Sequence, residues 1–555
     1  MDTRVRAAGE AFVARWLEHA PHDATRLGEH EDDARLVTVT ETTLADDLAW
    51  LRRLRAELDS IPASSLGPER TVERVLLQAR VERMLLDLEI IRPYERDPGA
   101  YVPIVAGSVA SLLDRPITSP CQRLRLATHR LWLVPEVLRA ARINLRRPPR
   151  VLTEMAIERY AGVLRFYRET VPAIAAGCRD ALTQADLAQA DTAAVRAVDS
   201  FLTYLREDLL PASRGELAIG PEACRRLLRA ELADSAVDPI DTLLARSRRL
   251  VEERRAALEG LAGPGGARGA LAALDAAPPD ASTLTPYMER SLAGVRMFLD
   301  QHEIVTLPVR TDLEVRRAPP FRDPLVFADL DAAGMWEERA PVSWLAIAEP
   351  ESSWDEAHRD ALLARFGRFD VALAAVREGV PGRFLRGLVV RGRPDRVMRA
   401  LFSGWGGEDW GAYCEQMMID EGFGAADPGY ALVAADRALR DAGRSYAALA
   451  LHAGAMSPEE AQAMLADRCL LDSVDAALET RRAAADPEIM GYTSGARMLL
   501  ELRDQARQVL GARFQIKVFN DAVLRHGASP VGIVQAGVRR ELGVDDHGGS
   551  AGAKP

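Results

Sequence analysis

Lysine is almost missing from this chain of 555 residues: Lys517 and Lys554 are the only two, so nearly all positive charge is arginine. A GC-rich genome accounts for that bias. No long basic run occurs and the formal charge is −11, so the electrostatic footprint of a nucleic-acid binder is missing. No apolar stretch reaches the roughly 18–20 residues that a membrane span needs. The opening Met1-Asp2-Thr3-Arg4-Val5-Arg6 leads into an amphipathic segment, not the apolar core of a signal peptide. Neither a nucleic-acid nor a membrane partner is expected. Cysteines are few, scattered and odd in number: Cys121, Cys178, Cys224, Cys414 and Cys469. They form no CxxC motif, and the expectation is reduced thiols in a cytoplasmic protein. A Gly-x-Ser-x-Gly nucleophile elbow and a plausible Cys-His pair are also missing. The Gly-rich residues 263–269 lack the lysine of a phosphate-binding loop. The histidines, His19 and His22 included, form no metal-ligand pattern, and His302-Glu303 has no second histidine at metal spacing.

What is abundant is Ala, Leu and Arg, with only 6% aromatic residues, a composition that favours helices over a β-sandwich. The length allows two domains or one large helical body. A helix is expected from Asp238-Pro239-Ile240-Asp241, with Asp238 as N-cap and Pro239 in the first helical position. Leu243, Leu244, Val251, Leu258 and Leu261 then recur near helical spacing until residues 263–266, Gly-Pro-Gly-Gly, end it. The Gly/Ala/Pro-rich stretch 266–282 is the expected linker between a helical region 1–265 and a second region 283–544. Within the second region, about 304–350 has strand character at Ile304-Val305-Thr306-Leu307, Leu313-Glu314-Val315, Leu325-Val326-Phe327 and residues 342–347. The fold class is therefore mainly α with a small embedded β-sheet. Helices are expected to resume near Trp354, and residues 545–555, Gly-rich and polar, to form a disordered tail.

The most informative residues are Arg377-Glu378-Gly379-Val380-Pro381-Gly382-Arg383. They resemble a zinc-hydrolase motif, His-Glu-x-x-Pro-Gly-His, with both histidines replaced by arginine. A guanidinium stays protonated and offers no lone pair to a metal. Further on, Glu408-Asp409-Trp410-Gly411-Ala412-Tyr413-Cys414-Glu415 is similar to a second signature, Glu-Gly-Trp-Ala-x-Tyr-x-Glu. A third runs from Gly491-Tyr492-Thr493-Ser494-Gly495 through Glu501-Leu502-Arg503 to Phe519-Asn520-Asp521. On these three ordered motifs the chain resembles the bacterial domain-of-unknown-function family numbered 885. The likeness is clear over roughly 304–540 and diffuse over the N-terminal half.

The resemblance implies a large helical zincin-like body, related in architecture to helical metallocarboxypeptidases. It assigns the zinc-ligand positions to Arg377, Arg383 and Glu408, the general base to Glu378 and an oxyanion donor to Tyr492. Phe384 and Asn520 stand where family members often carry further histidines. Four histidines lost from one site argue against zinc chemistry, so neither metal nor cofactor is expected. The remaining groups have two readings. Arg377 and Arg383 pair with Glu378 and Glu408 and keep the charge balance without metal, or their forks hold an anionic ligand such as a peptide end, with Asn520 nearby. Tyr492 serves an oxyanion or packs beside Gly495. The expected function is that of a degenerate metallopeptidase-like protein that binds a peptide or small carboxylate-bearing molecule. The alternatives are a metal-independent enzyme of a specialised pathway with Glu378 as acid/base, and a zinc hydrolase with unusual ligands.

Overall fold

The computed structural model describes residues 2–233, 237–274, 283–308, 312–322, 327–338, 342–350, 356–403 and 407–544. About three quarters of the chain is helical, as the Ala/Leu/Arg-rich composition predicts. The helix expected after Asp238 spans Ile240–Ala262. Pro239, extended at ψ 150°, is its cap residue, so Asp238 falls outside the cap and pairs with Arg246 at 2.6 Å instead. Gly263, at φ 70°, ends the helix. A short helix, Gly266–Ala272, follows where the linker was expected. The rest of that linker from residue 275, Leu325-Val326, Trp354 and the tail 545–555 lie outside the described residues.

Three strands form one sheet: β1 (Leu313–Arg317), β2 (Ala328–Asp331) and β3 (Ser343–Ile347), in the order β1-β3-β2. β3 runs parallel to β1, with Val315 opposite Leu345, and antiparallel to β2, with Leu330 opposite Leu345. Every residue of β3 is buried, which fits a central strand covered on both faces. Ile304-Val305-Thr306-Leu307 is not a strand. Its backbone groups are taken by side chains of the helix Ile516–Arg525. Asp521 accepts from the Thr306 N–H at 2.8 Å, and Asn520 donates to the Ile304 carbonyl at 3.0 Å. Groups satisfied in that way have no need of a ladder partner.

Apolar packing crosses the chain from end to end. Phe12, Leu51, Leu76 and Leu77 share a core with Val397, Leu401 and Phe402, and Cys224, Leu227, Val251 and Leu258 share another with Leu439, Ala447 and Leu451. Among the described residues no helix is long and apolar enough to cross a membrane. Cys121 and Cys178 are joined in a disulfide across 57 positions, with Cα atoms 5.1 Å apart, whereas Cys224, Cys414 and Cys469 are free and buried. This corrects the expectation that all five are reduced. Two cysteines so distant in sequence meet only through the packing of the helices, and their spacing carries no sign of it.

Candidate functional site: a buried arginine–carboxylate cavity

The helix Arg368–Glu378 is buried at Phe369 and throughout 371–378, so its end delivers Arg377 and Glu378 into the interior. Gly379 closes it, Val380–Pro381 is a cis bond, and a new helix, Arg383–Arg391, starts after Gly382. At Gly382 a Cβ would strike the carbonyl oxygens of Arg377 and Val376, so only glycine fits this reversal. The Trp410 indole donates to the Pro381 carbonyl at 2.9 Å and pins the turn from the helix Glu408–Asp420. That helix approaches through Gly411, where a Cβ would lie 2.9 Å from Arg377 Cγ.

The reversal aims two guanidinium groups at one carboxylate. Glu408 sits 3.3 Å from Arg377 and 3.0 Å from Arg383. Arg383 also meets Glu378 at 2.8 Å and Asp329 of β2 at 3.3 Å. Arg377 meets Asp441 at 2.7 Å and Glu415 at 3.6 Å. The network continues from Asp441 to Arg444 at 3.2 Å, from Arg444 to Glu479, and from Glu415 to Arg437 at 2.5 Å. All of these groups except Glu415 line a cavity of about 450 Å³. Among the described residues, seven arginines and ten carboxylates face it, so its wall is of mixed sign with negative charge in excess.

Sequence reasoning missed much of this wall. The helix Gly429–Ala453 contributes Asp436, Arg437, Arg440, Asp441 and Arg444, and the helix Ser473–Ala485 contributes Asp475, Glu479 and Arg482. The signal was present as charges at i, i+4 and i+8 within a segment otherwise rich in Ala and Leu. Such a stripe on a helix that must be buried elsewhere marks a polar interior. Of the residues singled out beforehand, Arg377, Glu378, Arg383, Glu408 and Tyr492 do line one cavity. Tyr492 donates to Asp486 at 3.3 Å. Asn520 is set apart: fully buried, it accepts from the Tyr413 hydroxyl at 2.7 Å and donates to Ile304. Phe384 belongs to an apolar core.

The surroundings drive the acids in different directions. Burial pushes Glu378 up to about 7; Arg383 opposes this, and the charges of Glu408 and Asp329 add to it. Burial acts on Glu408 too, but Arg383 and Arg377 outweigh it and hold the carboxyl below its ordinary value. Asp441 follows the same pattern: Arg377 and Arg444 overcome burial and keep it well below the usual range. Burial carries Asp486 up to about 7, aided by the charge of Glu488.

The zinc implied by the resemblance does not fit these residues. Two of the three assigned ligand positions are guanidinium groups, and the third, Glu408, is clamped between them. A dication there would displace paired arginines and meet their repulsion. Among the described residues no group of three or more His, Cys, Asp or Glu side chains is arranged to hold a metal ion.

Fold and site together define a mainly helical protein built around a buried arginine–carboxylate cavity. The chain belongs to a family described as bacterial protein of unknown function (DUF885), whose profile matches residues 21–538. Among solved structures it is similar to a putative lipoprotein of unknown function from Shewanella oneidensis. The TM-score is 0.74 at 20% identity, covering 96% of this chain and 99% of that one. It is also similar to a putative lipoprotein from Colwellia psychrerythraea, with a TM-score of 0.77 at 15% identity, covering 98% and 99%. No curated protein matches it at a significant level. These likenesses, at such identities, establish the shared fold. They also overturn the expectation of a cytoplasmic protein: both structures are described as putative lipoproteins. The Cys121–Cys178 bond agrees with that correction, because disulfides persist in oxidising compartments.

Proposed function

We propose that this chain is a degenerate, metallopeptidase-like binding protein in which arginine charge replaces the metal. Its cavity then takes a peptide or a small carboxylate-bearing molecule. The observation that carries this reading is the convergence of Arg377 and Arg383 on Glu408. Two fixed cations in a deep polar cavity supply the positive charge that a metal would otherwise bring. A purely anionic ligand would have to compete with the carboxylates that already hold each guanidinium. A ligand with an ammonium as well as a carboxylate, as at the ends of a peptide, can exchange with both signs of the wall. The wall presents charges of both signs, which such a zwitterion can match.

The test is calorimetric titration of tri-alanine into the tag-free protein with a chelator present. Binding is expected for the free tripeptide. Its N-acetylated, C-amidated counterpart should bind at least about tenfold more weakly. Glu378→Gln should leave binding nearly intact, with no turnover by either protein. Equal binding of the blocked peptide, or hydrolysis that a chelator abolishes and zinc restores, would overturn the proposal.

A second reading has its own support. A buried carboxyl pushed up to about 7 is poised for proton transfer at neutral pH, and Glu378 faces the cavity. A metal-independent reaction with Glu378 as acid/base follows from that. It predicts an activity that survives chelators and disappears in Glu378→Gln.

A further inference from the structure

Arg83, on the helix Pro68–Leu86, stands where three helices meet. The helix Pro221–Leu232 packs against both Pro68–Leu86 and Ile489–Leu510. A Cβ at Gly491 would lie 3.6 Å from Leu228 and 3.8 Å from Glu231, so the last two helices touch directly. Arg83 meets Asp87 at 3.2 Å and Glu231 at 3.7 Å, and it also pairs with Glu488, the residue just before the third helix. Asp486 joins the group, accepting from the Glu488 N–H at 2.9 Å and from the Tyr492 hydroxyl at 3.3 Å. Through Asp486 and Tyr492 the junction forms part of the wall of the arginine-rich cavity.

Four carboxyl groups here share little positive charge. Arg80 also acts on Asp87 and Glu231, but it forms no ion pair among the described residues and lies over the Trp16 ring at 5.0 Å, where Asp23 acts on it too. Arg383 and Arg386 share a chamber of about 160 Å³ with Glu231 and Glu488, yet they are seated on Glu408 at 3.0 Å and Asp409 at 2.6 Å. Arg226 of the middle helix is held by Glu82 at 2.7 Å. Burial, aided by the charge of Glu488, pushes Glu231 up to about 8, with Arg83 opposing. The same two causes carry Asp486 up to about 7. With Glu231 and Asp486 protonated, the carboxylates of Asp87 and Glu488 balance the charges of Arg80 and Arg83. Without those protons, four carboxylates crowd the same two cations.

We propose that this junction is a pH-sensitive latch: protonated, it holds the start of the helix Ile489–Leu510, and with it one wall of the cavity, against the N-terminal helices; deprotonated, it lets that wall loosen. The closed state holds the two protons more tightly than the open one. Their contribution is complete below the ordinary values, 4.5 for Glu231 and 3.8 for Asp486, and is lost as pH rises through about 8 and about 7 respectively. Control of ligand entry by the latch rests on the cavity reading proposed above; the latch itself stands on the junction alone.

The test is amide hydrogen exchange of the full-length, ligand-free protein at pH 6 and pH 8.5, read by mass spectrometry and corrected for the intrinsic pH dependence of exchange. Peptides covering residues 226–232 and 489–495 should lose protection by at least about tenfold at the higher pH. The helix Pro120–Asn144, tied through Cys121 to Cys178, should change by less than about twofold. Glu231→Gln keeps the shape of the protonated acid, and its loss of protection should be at least about threefold smaller. Constant protection in the native chain, an equal loss in the control helix, or an unreduced loss in Glu231→Gln would overturn the proposal. The native comparison stands even if the variant fails to fold. Because no ligand is present, a failure of tri-alanine to bind would count against the cavity reading and leave the latch intact, whereas constant protection would remove the latch and leave that reading intact.

Discussion

Glu378 and Glu408 share Arg383, at 2.8 and 3.0 Å, yet titrate in opposite directions. Their contributions to stability must therefore respond to pH with opposite signs. The folded chain holds the Glu378 proton more tightly than the unfolded chain does. That contribution is complete below the ordinary value of 4.5 and is lost as pH rises through about 7. The folded chain gives up the Glu408 proton more readily, so its contribution is present above 4.5 and is lost as pH falls through the lower folded value. The step from 4.5 to about 7 at Glu378 is worth about 3 kcal/mol once the group is fully ionised. Glu378→Gln keeps the shape of the neutral acid and leaves Arg383 paired with Glu408 and Asp329. It should lie within about 1 kcal/mol of the native protein at pH 5 and exceed it by about 3 kcal/mol at pH 8. Glu408→Gln removes the carboxylate held by both Arg377 and Arg383, and should cost about 1.5–3 kcal/mol at pH 8. Urea unfolding followed by circular dichroism at the two pH values reads both effects. If Glu378→Gln is the less stable protein at pH 8, or both variants shift the same way, the charge assignment within the cavity is wrong.

Arg383→Met strips a guanidinium from three carboxylates at once. It should cost about 3–5 kcal/mol in the same unfolding assay, and adding Glu378→Gln should recover part of the loss. The Cys121–Cys178 bond closes a loop of 57 positions, and its reduction should lower the unfolding free energy by about 4 kcal/mol in the loop-entropy treatment. Unfolding with and without dithiothreitol measures this, and identical curves would mean that the two thiols are not paired.

The sequence was readable where local chemistry decides the outcome. Helix-forming composition and the Gly-Pro-Gly-Gly stop after Ala262 set the helical body. The apolar run at residues 343–347 became the buried central strand. The clustering of Arg377, Glu378, Arg383, Glu408 and Tyr492 followed from motif order, because a Gly-containing reversal can bring residues six positions apart onto one carboxylate. Reading failed where distant side chains settle the matter. Ile304-Val305-Thr306-Leu307 has strand propensity, but Asn520 and Asp521 satisfy its backbone first. The same bonds give Asn520 a place in the packing, away from the cavity where it was sought. Cys121 and Cys178 meet through helix packing, which spacing cannot encode. The charges at residues 436–444 share one helix face, a pattern that a solvated face would show equally, and only the packing of the helix turns it inward.

The central claim is that guanidinium charge holds this cavity where a metal would otherwise sit. The most direct measurement is the zinc content of tag-free protein by elemental mass spectrometry, before and after incubation with zinc and dialysis. With Arg377 and Arg383 both seated on Glu408, the content should stay well under one zinc per chain in both samples. One zinc per chain retained through dialysis would contradict the account and make peptidase chemistry with ligands outside the recognised motif the working explanation.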